Sequence, residues 1–522
     1  MKSKIRIKKI HGIEYWYEDV PFYDKTAKQI RHHSKYLGKN IDGKPVRVRE
    51  VLNAGSVLLP SKSFVSYGYG ELLPILKIIE DLHVDRFLGD VLNEQHRNMV
   101  LTLCINRVVR PTALHIVRTW FEGSFLSVLY PGLSLSSQNI SNLLARLGDS
   151  DIPSVFMGKL LKYLGTKSTL MYDITSLSSY SKLIDLLEFG HNRDDPGLPQ
   201  LNMSMIVDKK LGIPVMYDVY PGSIVDVSTL KNTIRKVESY EIQDYLLVLD
   251  RGFFSQGNLE ELLDDDDLSF IIPATMALNN VKELMSSAQR DIENPKYLQK
   301  YNKDPIFVKP VTLSLDDFDV DGYCYYDQKR EQSQRNAFYT RLYDVREKIQ
   351  EKEIPGKRKP EVVFKVRAGD MASYYSWEVV DKHFKVEIKK KAVTQRVNKM
   401  GKFILFYRGA CDWMKCLMVY REKDIIEKAF ERFKRDLKGL PLNTSKESTT
   451  RGFLFVCFVG LILEMRLLNQ MKETGLLKDY TVEKLLLELE KIKKVRLAND
   501  ELIVTEITRR QKGILEKLNL CA

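Results

Sequence analysis

Asp173, Asp250 and Glu427 are the residues whose types and settings could do chemistry together in this 522-residue chain. Two carboxylates at the ends of apolar strands and a third on a helix can bind a pair of divalent cations. Hard cations such as Mg²⁺ take oxygen ligands, and phosphodiester chemistry needs charge relief on both the attacking and the leaving oxygen. Asp173 closes the apolar run LMYD and Asp250 closes LLVLD. A strand holds the backbone while its end points the carboxylate out of the sheet. An Asp after a strand is more often a turn residue or a cap, so position alone does not assign the pair.

The segment YREKDIIEKAFERFKRDL reads as one long helix from Tyr420 to Leu437. At about 100° per residue, Tyr420, Lys423, Glu427 and Lys434 fall within an arc of about 60°. Ile425, Ile426, Ala429, Phe430, Phe433 and Leu437 gather on the packing side. One face thus offers a phenol, two ammonium groups and a carboxylate. The plainer account of such a face is solvated ion pairing along a helix. Glu431, one turn beyond Glu427, is the fallback third ligand, and Arg421 points elsewhere on the wheel.

This helix resembles that of insertion-sequence transposases of the DDE class, in the branch with the pattern Tyr-x2-Arg-x3-Glu-x6-Lys. Tyr420, Glu427 and Lys434 match the spacing, and Lys423 stands where Arg is usual. The exchange keeps the charge and loses bidentate phosphate geometry. MYDITSLSSY is similar to the family's first-Asp strand, LVLDRGFFS to its second, and GIPVMYDVYPGSIVDVSTL to the segment between them. The resemblance covers roughly residues 165–275 and 400–465. It implies a ribonuclease H-like α/β core with a large insertion between the second Asp and the Glu, preceded by a mainly helical N-terminal domain.

It further implies Asp173, Asp250 and Glu427 as catalytic metal ligands, and two Mg²⁺ ions per site, with Mn²⁺ as a substitute. Tyr420, Lys423 and Lys434 would hold DNA. The partners implied are double-stranded DNA (terminal inverted repeats and target) and a second copy of the chain on paired ends. The activity implied is cleavage at element ends and joining to target DNA. A nuclease of the same fold without strand transfer, or an inactive DNA-binding relic, are the alternatives.

The elements that must position these residues divide the chain. Residues 1–60 form a small β-rich start, and 61–165 are amphipathic helices read as a DNA-binding domain, with Arg97, Arg107, Arg110, Arg118 and Arg146 among them. Residues 166–277 alternate strands and helices as the first part of the core. An insertion occupies 278–402, with a basic tract at Lys382–Lys402. The second part of the core spans 403–470, and 471–522 is a helical tail. Asp226 reads as a cap, Asp264–Asp267 as a solvated loop, and His191 as a loop residue near the site.

Composition sets the outer limits. With 44% hydrophobic and 29% charged residues the chain reads as soluble and globular, with two to four domains. The run Gly452–Leu463 is short of the ~20 residues of a bilayer span and reads as a buried helix. The basic amino terminus lacks an apolar export region, so nothing suggests export and a cytoplasmic protein without membrane contact is expected, on the nucleoid through the DNA that the resemblance implies. Of six cysteines only Cys411 and Cys416 lie close together, too few for a zinc knuckle. A formal charge of +12 favours a polyanionic partner. No P-loop occurs, so no nucleotide cofactor is implied.

Overall fold

The computed structural model describes residues 3–10, 13–24, 29–41, 43–46, 64–165, 169–181, 184–190, 198–224, 226–242, 244–315, 318–356, 358–437, 444 and 446–520. The chain divides into two compact units. One comprises Met1–Pro74, Arg118–Gly132 and Lys478–Ala522, and the other Ile75–Val117 and Leu133–Leu477.

The first unit begins with a four-stranded antiparallel sheet, β1 (Lys4–Ile10), β2 (Ile13–Asp24), β3 (Gln29–Ile41) and β4 (Lys44–Val46). A short strand, β5 (Val65–Gly68), follows.

The second unit is mixed α/β and holds a nine-stranded sheet. Its strands are β6 (Thr169–Ser178), β7 (Gln200–Asp208), β8 (Ile213–Pro221), β9 (Leu246–Val248), β10 (Ser269–Pro273), β11 (Leu298–Tyr301), β12 (Asp304–Leu315), β13 (Phe318–Tyr326) and β16 (Lys402–Arg408). The order across the sheet is β11-β12-β13-β16-β10-β9-β6-β7-β8. β6, β7 and β8 form an antiparallel meander, whereas β9 runs parallel to β6 and β10 parallel to β9. Every residue of β7 is buried, so both faces of the sheet are covered there. Successive side chains leave a strand on opposite faces. Tyr172 accordingly meets Thr233 of the helix Asp226–Ser239 on one side, while Asp173 faces the charges of the helix Asp424–Arg435 on the other.

Behind the meander lies the helix Glu447–Glu473, whose apolar run is buried from Gly452 to Leu463. At 27 residues it is the one helix among the described residues with the length and composition to cross a membrane, and 83% of its apolar window is buried inside the protein. The helices Glu94–Val109 and Ser137–Gly148, read from sequence as part of a separate domain, pack against it in the same unit. Arg107 shows the consequence. It is 3% exposed, donates to Asn106 Oδ1 at 2.8 Å and to the Thr112 carbonyl, and lies over the Phe453 ring. It belongs to the core and has no surface to offer DNA.

The expected insertion also divides. Its β12 and β13 extend the main sheet, with β13 antiparallel to β16. The remainder forms a small core of its own, in which Leu342, Ile349, Val363, Phe364, Tyr375 and Phe384 join the helices Gln328–Glu351 and Pro360–Ala368 to the hairpin β14 (Tyr375–Val380) and β15 (His383–Ile388). The tail is less helical than its composition suggested. In the first unit, β17 (Lys493–Arg496) pairs with β5 and with β18 (Leu502–Val504), because a tail strand can complete a sheet begun 400 residues earlier only through tertiary contact.

The helices Ser137–Gly148 and Glu447–Glu473 touch through their backbones. A Cβ on Gly452 would stand 1.9 Å from the Leu144 carbonyl oxygen, and one on Gly148 1.9 Å from that of Ser448. Gly452→Ala should therefore destabilise the chain by about 1–3 kcal/mol despite alanine's better helix propensity. Gly513, inside the helix Arg509–Lys517, has open space around it. Gly513→Ala should stabilise by about 0.5–1 kcal/mol. Urea unfolding of the two variants checks the pair, and a Gly452→Ala protein as stable as its parent would refute the close contact.

Candidate active site

The first two carboxylates meet because of strand register. β6 and β9 pair in parallel with Thr169 opposite Leu246, Leu170 opposite Leu247 and Met171 opposite Val248. That offset of 77 residues (246 minus 169) is also the offset between Asp173 and Asp250 (250 minus 173). Neighbouring strands lie about 4.8 Å apart, so the same register carried two residues beyond the last pair sets the two aspartates side by side. Asp250 follows β9 and caps a short turn, Arg251–Phe253. Asp173 does not end its strand as the sequence suggested. β6 continues to Ser178, because β7 supplies partners as far as Gln200.

The long helix expected from Tyr420 to Leu437 is two helices, Trp413–Arg421 and Asp424–Arg435. Each residue around the break is tied to a different element. Arg421 pairs with Asp327, the cap of the Gln328 helix, and Glu422 with Lys209 in the β7–β8 turn at 2.5 Å. Lys423 Nζ lies 2.5 Å from Asp250 Oδ1. Between the two helices the backbone tightens, with the Lys423 amide donating to the Tyr420 carbonyl and the Ile426 amide to that of Lys423. The wheel that grouped Tyr420 with Glu427 therefore does not hold across the break. Lys423, expected from the resemblance to hold DNA, is 7% exposed and faces the Asp250 carboxylate.

Electrostatics link all four groups. Burial pushes the Asp173 carboxyl up to about 6, with Lys423 opposing and the charges of Asp250 and Glu427 adding. Burial acts on Asp250 too. There the hydrogen bond and charge of Lys423, with the Arg251 and Gly252 amides, outweigh it and hold the carboxyl below its usual range. Glu427 is exposed on the Asp424 helix, which packs against β6 and β7. Glu431, one turn on, pairs with Arg435 at 2.6 Å. Lys434 is half-buried on the same helix.

Among the described residues no three His, Cys, Asp or Glu side chains stand close enough together to hold an ion as they are. The Lys423 ammonium on Asp250 supplies the positive charge instead. The donor chemistry still fits a hard cation, since all three groups are carboxylates and Asp173 carries an electrostatic penalty that a cation would relieve.

The Asp424 helix is itself anchored. Arg432 Nη1 reaches Glu464 of the Glu447 helix at 2.5 Å, and Glu464 is 3% exposed. Burial raises the Glu464 carboxyl to about 7, with the Arg432 charge opposing.

A cavity of about 510 Å³ is lined by Arg251, which follows Asp250 in the chain, by Arg330, Arg341, Arg396, Lys399 and Lys402, and by the rings of Phe338, Tyr374, Phe403 and Tyr420. The one acid in its wall, Asp370, pairs with Arg341 at 2.6 Å. Arg330 lies over the Phe403 ring at 4.7 Å. Tyr420 thus belongs to this basic wall, apart from Glu427. Arg330, Gln334, Ala337, Phe338 and Arg341 recur at helical spacing along the Gln328 helix, a stripe that a periodicity reading of that charged segment could have found. His191 and Cys521 lie outside the described residues, as does the side chain of Asp226. Asp266, in the acidic loop, pairs with Arg408 at 2.7 Å.

None of the curated proteins compared with the chain matches it. Among solved structures, the cryo-EM structure of a piggyBac transposase synaptic complex with hairpin DNA is similar at 9% identity and a TM-score of 0.35, over 83% of this chain and 77% of that one. The family model of the transposase DDE domain matches residues 178–463, more than half of the chain. The match spans Asp250 and Glu427 and begins just after Asp173. The chain belongs to the DDE transposase family.

Proposed function

We propose that this transposase cleaves DNA at the ends of its element and joins the freed ends to target DNA, through a ribonuclease H-like core in which Asp173, Asp250 and Glu427 act together. One observation carries the reading. The β6–β9 register sets Asp173 beside Asp250, and Lys423 and Glu427 from a distant segment enter the same electrostatic cluster. The strand order supports a ribonuclease H-like assignment, with a three-stranded meander followed by two strands parallel to its first.

Two Mg²⁺ ions, or Mn²⁺ in their place, would supply charge relief on the attacking and leaving oxygens when bound. Asp173, Asp250 and Glu427 would hold them, and Lys423 would then release Asp250 and turn to a DNA phosphate. The basic cavity would take the DNA backbone, with Tyr420 and Arg251 in its wall and Lys434 further along the Asp424 helix. Lys389, Lys390 and Lys391 of the basic tract, all three exposed, would extend that contact. A homodimer on paired ends, in the cytoplasm and on the nucleoid, completes the proposal.

Asp173→Asn, Asp250→Asn and Glu427→Gln should each abolish Mg²⁺-dependent cleavage of end DNA while retaining end binding in a gel-shift assay. Full cleavage by Glu427→Gln would remove it from the site. A circular target offered with pre-cut ends tests joining, and cleavage without joining would leave a nuclease.

Lys423 and an incoming cation compete for Asp250. Lys423→Met should therefore show a larger Mg²⁺-induced rise in melting temperature than the parent, even as end cleavage falls about tenfold or more through the lost charged contact. An equal rise in both proteins would show that Lys423 does not guard the carboxylates. Because Asp173 must lose its proton to bind a cation, and its carboxyl sits at about 6, Mn²⁺ uptake measured by calorimetry should weaken as pH falls through that value. Uptake unchanged from pH 8 to pH 5 would show that no carboxyl raised by burial has to lose a proton to admit the ion.

A further inference from the structure

The five described cysteines are all buried and none is disulfide-bonded, yet they are not alike. Cys411 and Cys416 flank the start of the helix Trp413–Arg421, and their sulfurs are 2.9 Å apart. That is closer than two sulfurs rest in ordinary contact, and longer than the ~2.05 Å of a disulfide. The corner is well held. Asp412 caps the helix by accepting the Lys415 amide at 2.7 Å, Lys415 Nζ donates to the Ala410 carbonyl at 3.1 Å, and the Tyr325 hydroxyl donates to the Trp413 carbonyl at 2.8 Å.

The two thiols differ in role. Cys411 keeps 7% of its surface open and Cys416 none, so a small reagent reaches Cys411 first. The Cys416 thiol donates to Cys411, and this bond, with Lys415 nearby and against the effect of burial, draws the Cys411 thiol below its usual range. Cys416 is raised, first by that same bond and then by burial. Elsewhere burial pushes Cys324 and Cys457 up to about 12 and raises Cys104 as well, which leaves those thiols protonated and unreactive.

We propose that Cys411 and Cys416 form a dithiol–disulfide site that a hydroperoxide oxidises, with Cys411 attacking and Cys416 resolving. The Cys411 thiolate attacks the terminal peroxide oxygen. A sulfur–oxygen bond forms, the oxygen–oxygen bond breaks, and the departing alkoxide or hydroxide takes up a proton. The Cys416 sulfur then attacks the sulfenic sulfur of Cys411, expelling its hydroxyl, which leaves as water with the Cys416 proton. In sum two thiols lose two electrons and two protons, and the peroxide becomes an alcohol or water, plus one further water. An external dithiol reverses the step by exchange. Oxidation would fix the start of the helix that carries Tyr420 to the basic cavity. The site is independent of the DNA reading and stands or falls without it.

The test uses the full-length protein treated with hydrogen peroxide, then alkylated and mapped by mass spectrometry. The expected product is a Cys411–Cys416 linkage with loss of two hydrogen atoms, formed before any change at Cys104, Cys324 or Cys457 and reversed by dithiothreitol. In Cys416→Ser, Cys411 should be trapped as a dimedone adduct of its sulfenic acid. In Cys411→Ser, Cys416 should stay reduced. Complete alkylation of both residues in peroxide-treated parent protein after unfolding would overturn the proposal. So would zinc retained in equimolar amount on the pair through dialysis, since it would make the two thiols a metal site.

Discussion

Like charges held near one another out of water are costly, and that constraint governs this molecule's centre. Asp173 and Asp250 are brought side by side by strand register, and the charge of Glu427 adds to theirs. The structure answers with one ammonium, Lys423, on Asp250. The cost is not fully removed, as the raised Asp173 carboxyl records. A site under this residual strain is one that a divalent cation relieves, so the unfavourable electrostatics of the protein alone are what suit it to bind one.

The position of Lys423 explains the surrounding architecture. Residues 421–423 tie three separate parts of the fold together, the cap of the Gln328 helix, the β7–β8 turn and the end of β9. The helix breaks there, one helix ending at Arg421 and the next starting at Asp424. Beyond the break, the Asp424 helix buries Ile426, Ala429, Phe430 and Phe433 and is tied by Arg432 to the buried Glu464. A carboxylate at position 427 is thereby carried on an element fixed at its start by an ion pair, along its length by apolar packing and near its end by a second ion pair.

The same region explains why the apolar helix behind the site is so uniformly hydrophobic. The Glu447 helix must pack against β8, against two helices of the 75–164 region and against the Asp424 helix. A helix enclosed on every side has no solvated stripe, and its sequence then resembles a membrane span. Glycines at 148 and 452 let two of these helices touch backbone to backbone. Buried Glu464 meets Arg432, and Asn469 donates to the Leu211 and Gly212 carbonyls.

Much of the site was legible in the residues themselves. The apolar runs LMYD and LLVLD announced two strands with an Asp at the same place in each, and the 3.6-residue period of the segment after Asp424 separated a packing face from a charged one. These signals are local, set by alternation and helical spacing within a few residues. What the sequence could not decide was everything that depends on contact between distant segments. Whether β6 stops at Asp173 depended on β7, whether Tyr420 and Lys423 share a helix depended on Asp327, Lys209 and Asp250, and whether Arg107 meets solvent depended on Phe453. Charge in a sequence has no direction. Only the folded chain fixes which opposite charge it meets, and with that whether a lysine covers a carboxylate or lies open to solvent.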